Sequence, residues 1–407
     1  MSKLRAACKA RTLSLEEIRS LVEADPESLK LKNNLGDTPL HTACANKAPA
    51  NVIEFLVEKY PESVRVQDNY GGLPLHIACL SQAPIKVIQF LAKTFPESIK
   101  VKTHHEAWLP LHYACSATGT SFEIIQFLVE QYPESVKQKT SEGRLPLHNA
   151  CSGNAHFKVI QFLVEMYPES VEAMDNDSRL PLHNTCWTRA PLDVVTFLAM
   201  KFPKSLKSID KDGSLPLHYA CRTNKLLEVI QFLLEMHPES VKVMDFNGKL
   251  PLHYACINDV TLDVVQLLLQ NYPESVEVQD INNRLPLHHA LLNQAPLQVV
   301  QLILSKYPAS VNVEDINGGL PLHYACLRKA PLEAVQLLVE NYPKTVKSKT
   351  RYGYLPIHFA CINDAPLDVV EFLVEEFPAS LVTMDNQGHV PSHYAAMKNY
   401  GYLVFLT

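Results

Sequence analysis

Residues 244–278 read MDFNGKLPLHYACINDVTLDVVQLLLQNYPESVEV, and this stretch returns with substitutions along most of the 407-residue chain. A Pro-Leu-His-like triplet begins at Pro39, Pro74, Pro110, Pro146, Pro181, Pro216, Pro251, Pro286, Pro321, Pro356 and Pro391, at intervals of 35 or 36 residues. A second proline series runs from Pro26 to Pro378, usually inside Tyr-Pro-Glu-Ser or Phe-Pro-Glu-Ser. The remaining six of the 28 prolines sit ten residues after a triplet proline, in an Ala-Pro pair. Each address suits proline. At the triplet it opens a helix, where its fixed φ helps and its missing N–H costs nothing. At Ala-Pro it opens a second, with acids such as Asp193, Glu333 and Asp368 near the positive end of the dipole. At Tyr-Pro it ends that helix, because the residue before proline is pushed out of the α region.

The unit is therefore a short helix, a loop, a longer helix apolar on most faces, and a turn. Glycine stands three before the triplet proline in eight of eleven units, from Gly36 to Gly388, with Ala107, Ser178 and Asn283 in the others. A positive φ there explains glycine and asparagine, and explains alanine and serine less well. Units of this size stacked in file bury their apolar faces only against their neighbours. Composition agrees: 47% hydrophobic residues support a packed core, and a formal charge of −6 gives no general affinity for nucleic-acid phosphates. No stretch has the ~20 uninterrupted apolar residues of a membrane helix, and residues 1–30 contain no secretory apolar run.

Asp-x-x-Gly-x-x-Pro-Leu-His-x-Ala-(Ala/Cys) followed by a hydrophobic helix resembles the ankyrin repeat, and the resemblance spans essentially the whole chain. It implies an all-α ankyrin-repeat solenoid of helix-turn-helix units with glycine-containing turns, about eleven in number. Three departures are visible. The unit has 35 rather than 33 residues; the threonine before Pro-Leu-His survives only as Thr38; and Ala-Pro replaces the glycine-histidine pair between the helices. The Leu-Pro-Leu-His-x-Ala-Cys and Tyr-Pro-Glu-Ser wording looks like the ankyrin families of single-celled algae and related protists. A tetratricopeptide array has a similar period but lacks both the triplet and the glycine turn.

The expected organisation is a single ankyrin-repeat domain over 1–407. Residues 1–30 form a degenerate N-terminal capping unit, with a capping-box pattern at Ser14-Leu15-Glu16-Glu17. Ten full units follow over 31–379, and 380–407 form an incomplete C-terminal unit whose second helix is cut short. The abrupt end suggests truncation or fraying. The third unit carries an extra residue in its turn, Lys102 to Trp108, and another in its helix linker; drift and function both account for these.

Seventeen histidines and ten cysteines invite a metal reading. His41/Cys44 and its equivalents offer two ligands per unit, and the next pair lies about 8–10 Å away, one helix-packing distance. Zinc needs four ligands at ~2.0–2.3 Å, and a disulfide needs a Cα separation of ~4.4–6.8 Å. Nine cysteines sit five after a triplet proline, where the family usually has alanine, and read as small buried groups in a reducing compartment. No metal and no cofactor is expected. The triplet histidines resemble the family's structural imidazoles, which link neighbouring turns. With no phosphate loop, nucleophile elbow or zinc-protease motif, no enzyme is expected either.

In the family, turn tips and first-helix surfaces form the concave side, where partners usually dock. Two before the triplet proline the chain reads Asp37, Gly72, Trp108, Arg144, Arg179, Ser214, Lys249, Arg284, Gly319, Tyr354 and His389, and the first-helix ends add Trp187, Arg189 and Arg222. Arginine and tryptophan are enriched at binding hot spots. Trp108, Arg144, Arg179, Trp187, Arg189, Arg222, Lys249 and Arg284 are the candidate partner-binding residues, the six basic ones sharing one groove. Scattered surface charge is the competing account. The expected function is a monomeric, cytoplasmic, non-enzymatic scaffold or adaptor that binds another protein through an acidic or phosphorylated segment, with no nucleic acid and no membrane partner. The alternative is the targeting or regulatory segment of a longer, truncated polypeptide whose catalytic or membrane part lies elsewhere. Tyrosines three after the proline, such as Tyr254 and Tyr324, are expected to be half-buried with hydroxyls reaching the groove.

Overall fold

The computed structural model describes residues 3–9, 14–223, 226–257 and 261–397. Among the described residues there are 23 α-helices and 11 3-10 helices, and no strand. The chain falls into two compact units, Met1–Lys211 and Asp212–Thr407.

One repeat of the first unit illustrates the build. The first helix, Pro74–Leu80, starts on its proline. It stops where Gln82 turns left-handed at φ 56°, and Ala83 N–H bonds back to Ala78 O at 2.9 Å. That six-to-one bond is the Schellman stop. It accounts for the Ala-Pro pair: the alanine N–H closes the first helix and its methyl is buried, while Pro84 leads into the second helix, Ile85–Thr94. Pro96–Lys100 then forms a single 3-10 turn. The sequence marked Pro-Glu-Ser only as a helix stop; in every repeat from Pro26 to Pro378 it is a 3-10 helix with a buried serine or threonine.

The turn conformation is uniform. All eleven residues three before a triplet proline have positive φ, Ala107 at 53°, Ser178 at 60° and Asn283 at 57° included. A non-glycine residue pays about 1–2 kcal/mol for this. The glycine matters for space as well: a Cβ on Gly36 would lie 2.6 Å from the Asn69 backbone nitrogen of the following turn. That approach carries a backbone ladder, Asn69 N–H to Leu35 O at 2.9 Å and His104 N–H to Tyr70 O at 2.8 Å, repeated in the second unit by Ile281 to Asn247 and Arg351 to Asn317. The third repeat absorbs its extra turn residue by bonding Thr103 N–H to Trp108 O, five residues on, where the others span four.

Within each unit, first helices pack on first helices and second helices on second helices of the next repeat. The shared core is leucine, valine, isoleucine, alanine and cysteine from both rows. At the N-terminus, Lys3–Cys8 and Leu15–Ala24 reproduce the two-helix plan without the triplet. The capping box read at Ser14 does not form: Ser14 is the N-cap, but its side chain accepts no helix N–H. The cut-short C-terminal helix concerns residues 398–407, outside the described residues.

Candidate interaction surface

The triplet histidine sits at the third helical position and ties its turn to the next repeat. His76 Nδ1 accepts the Leu73 N–H at 3.0 Å, so the proton is on Nε2, which donates to Val101 O at 3.0 Å. The same pair of bonds recurs, for example, at His148 with Leu145 and Arg179, and at His323 with Leu320 and Ser348. Thr38 alone adds a hydroxyl, 2.9 Å from His41 Nδ1. Burial pushes His76, His112, His148, His288 and His323 down to about 4, which keeps them neutral. With both ring nitrogens bonded to backbone, these imidazoles spend their lone pair and their proton on the fold. All ten cysteines are buried, and burial raises the thiols of Cys8, Cys151, Cys256 and Cys361 to about 12.

The turn aspartate, six before the triplet proline, is buried and organises the tip. Asp315 accepts from Asn317 N–H at 2.9 Å and Gly319 N–H at 2.8 Å. Three of the candidate arginines lie against such carboxylates of the following repeat, always 31 residues on. Arg144 Nε is 3.6 Å from Asp175, Arg179 Nε is 3.7 Å from Asp210, and Arg284 Nε is 3.2 Å from Asp315. Their side chains keep about a quarter of their surface exposed.

The other candidates lie as follows. In the first unit, Trp108 is half-buried on Tyr113, with ring centroids 5.0 Å apart, while Trp187 and Arg189 are exposed where the helix Pro181–Trp187 ends. In the second unit, Arg222 and Lys249 both approach the Tyr254 ring, at 5.8 and 5.6 Å from its centroid, and Arg284 approaches Tyr324 at 5.2 Å. The structure thus groups Arg222 with Lys249, and sets Arg144 between Asp175 and Glu142, the latter at 3.3 Å, and Arg179 between Asp210 and Asp177, the latter at 3.2 Å.

The sequence reading missed what the residue three after the proline does. Tyr254 donates to Asp245 at 2.6 Å, Tyr394 to Asp385 at 2.5 Å, Tyr324 to Asp315, and His289 Nε2 donates to Asp280 at 2.9 Å. These hydroxyls are turned to carboxylates rather than to the open surface, and the spacing of nine residues was there to be found. Burial pulls the Asp280 carboxyl up, but the bonds from His289 and from the Arg284 and Asn282 N–H groups outweigh it and bring it down to about 2. Burial and the Asp315 bond push Tyr324 up to about 12. Also unforeseen is a pocket of about 250 Å3 in the second unit, lined by Gly319, Tyr324, Leu327, Tyr352, Tyr354 and Phe359 among others.

A regular helical scaffold that spends its conserved-looking chemistry on its own backbone and varies its turn tips is a helical repeat protein of the binding-module class. A family model described as ankyrin repeats (3 copies) matches residues 91–175, 111–207, 182–280, 217–315, 261–347 and 322–406, and a second, ankyrin repeats (many copies), matches 21–78. The chain belongs to the ankyrin-repeat family. No curated protein matches it. Ankyrin repeats generally mediate protein–protein interaction and are typically non-enzymatic. Among the described residues no helix is long and apolar enough to cross a membrane.

Proposed function

We propose that the protein is a non-enzymatic, monomeric scaffold or adaptor that holds an acidic or phosphorylated segment of a partner protein against its turn tips and first-helix ends. The observation that carries this reading is the pinning of Arg144, Arg179 and Arg284 by buried aspartates. Arg284 is held by hydrogen bonds from Nε to Asp315 and from Nη2 to Tyr324, and Arg144 and Arg179 by ion pairs, so part of the ordering cost of binding is met before a partner arrives. The planar fork suits carboxylate and phosphate oxygens. Arg189 and Arg222 add exposed charge. The ten buried cysteines support a reducing, cytoplasmic setting.

The test is affinity capture from a lysate, with mass spectrometry, by the wild type and by an Arg189→Glu/Lys249→Glu variant. Neither residue lies against a buried carboxylate of the next repeat, so the melting temperature should hold while capture of acidic or phosphorylated partners falls about tenfold or more. Unchanged capture both by this variant and by Arg144→Gln/Arg179→Gln would remove the basic residues from the binding surface.

A further inference from the structure

In the second unit, two of the rings three after a triplet proline, Tyr254 and Tyr324, are covered by a cation of the chain's own. Tyr254 has Arg222, from the first-helix end of the preceding repeat, and Lys249, two before its own triplet. Tyr324 has Arg284, two before the preceding triplet. The corresponding ring of the next repeat is Phe359. The three addresses that supply cations elsewhere hold Leu327, Tyr354 and Gly319 here. No cation covers Phe359 among the described residues, and at this place the surface opens into the pocket of about 250 Å3.

The pocket is built for one group. Tyr324, Tyr352, Tyr354 and Phe359 line it together with His323 and Leu327, and no ionisable acid or base other than that bonded imidazole and the phenols is among its lining residues. The Tyr354 and Phe359 rings stand 5.5 Å apart at an interplanar angle of 54°. The Tyr324 hydroxyl donates a hydrogen bond to the buried Asp315 carboxylate and accepts one from Arg284 Nη2 at 3.0 Å, which fixes the orientation of its ring as a wall of the pocket. Gly319 keeps the mouth clear: a Cβ there would come within 3.1 Å of Asp315 Oδ1 and 3.2 Å of the Tyr324 ring. The volume is below the ~300–1,000 Å3 of small-molecule sites and is of side-chain size.

We propose that this pocket receives an alkylammonium group, a lysine-type side chain of a partner protein, in the place that Arg and Lys of the chain itself occupy over the neighbouring rings. Aromatic faces attract such cations, and a partly desolvated cage strengthens the attraction. The site shares Tyr324 with the Arg284–Asp315 pair but takes the opposite charge, and its ligands probe this pocket alone, so its success or failure is separable from the reading above.

The test uses the full-length protein with choline and its neutral isostere 3,3-dimethylbutan-1-ol, read by NMR shifts of the tyrosine and phenylalanine ring protons, and with Nα-acetyl-lysine amide as a third ligand. Choline should bind about fivefold or more tightly than the isostere. Leu327→Arg, which imitates Arg222, should fill the cage from within and lower choline affinity about tenfold; Tyr352→Leu, at an exposed wall, should lower it several-fold. Equal or tighter binding of the neutral alcohol would make the pocket an apolar subsite and overturn the proposal, as would absence of ring shifts or indifference to both variants. Acetyl-lysine amide within tenfold of choline supports a protein side chain as the source; choline preferred beyond that assigns the pocket to a free quaternary ammonium and overturns the protein source.

Discussion

The first and second units use the same turn but satisfy its buried carboxylate differently. In the first, Asp175 and Asp210 face arginines of the preceding repeat, Arg144 and Arg179. In the second, Asp245, Asp280 and Asp385 accept a hydrogen bond from a hydroxyl or imidazole of their own repeat, nine residues on, and Asp315 takes both kinds of partner. One arrangement couples neighbouring repeats; the other stiffens each repeat by itself. An arginine drawn into coupling keeps its charge at the surface, whereas a tyrosine turned inward offers a partner only its ring. The difference therefore sets which turns present an oriented guanidinium group and which present an aromatic face.

The largest effect should come from acid, and it should erase the comparison. His76, His112 and His148 of the first unit and His288 and His323 of the second have folded values near 4 against 6.5 when free. Between these values the unfolded chain takes up protons that the folded one refuses, so stability is complete above about pH 6.5 and is lost as pH falls toward 4. The melting temperature at pH 5 should lie about 10 °C or more below that at pH 7.5, and fragments of either unit should be equally sensitive to proteolysis there. A flat profile would mean that the imidazoles are not the shared clasp.

An intermediate effect should sharpen the comparison. Asp315→Ala strips Arg284, Tyr324 and two turn amides of their common acceptor and should cost about 3 kcal/mol in denaturant unfolding. Asp175→Ala removes two turn amide bonds and a looser 3.6 Å ion pair and should cost about 1–2 kcal/mol. Equal losses would show that the turn amides alone account for the aspartate in both units. The smallest effect is a control: Lys137 and Glu134 pair at 3.1 Å with both side chains about half exposed, and Lys137→Ala should leave the unfolding midpoint unchanged within error.

Much of the fold was legible because proline and glycine act locally. Their positions located the first helix of every triplet-bearing repeat, the end of each second helix before the second proline series, and the left-handed turn, including at Ala107 and Ser178, where the residue type argued weakly. The 3-10 turns escaped because five residues carry no periodicity, and Ser14 matched a capping box whose side-chain bond does not form. The surface was legible only as a set of varied addresses. Arg144 and Asp175 are 31 residues apart, and nothing in either stretch announces that the stacked turns bring them together. The pocket beside Phe359 was invisible for the same reason, since it consists of what three separate addresses omit.

The buried cysteines have a use beyond packing. Every triplet-bearing repeat from the first to the tenth has one in its first helix except the eighth, where Leu291 stands. A thiol held protonated by burial reacts with an alkylating reagent only when its layer opens. Because each lies in a peptide of different sequence, timed alkylation followed by mass spectrometry would give an opening rate for nine successive layers from one unlabelled sample. The chain carries its own stratigraphy, and the order in which its strata loosen could be read without a single engineered reporter.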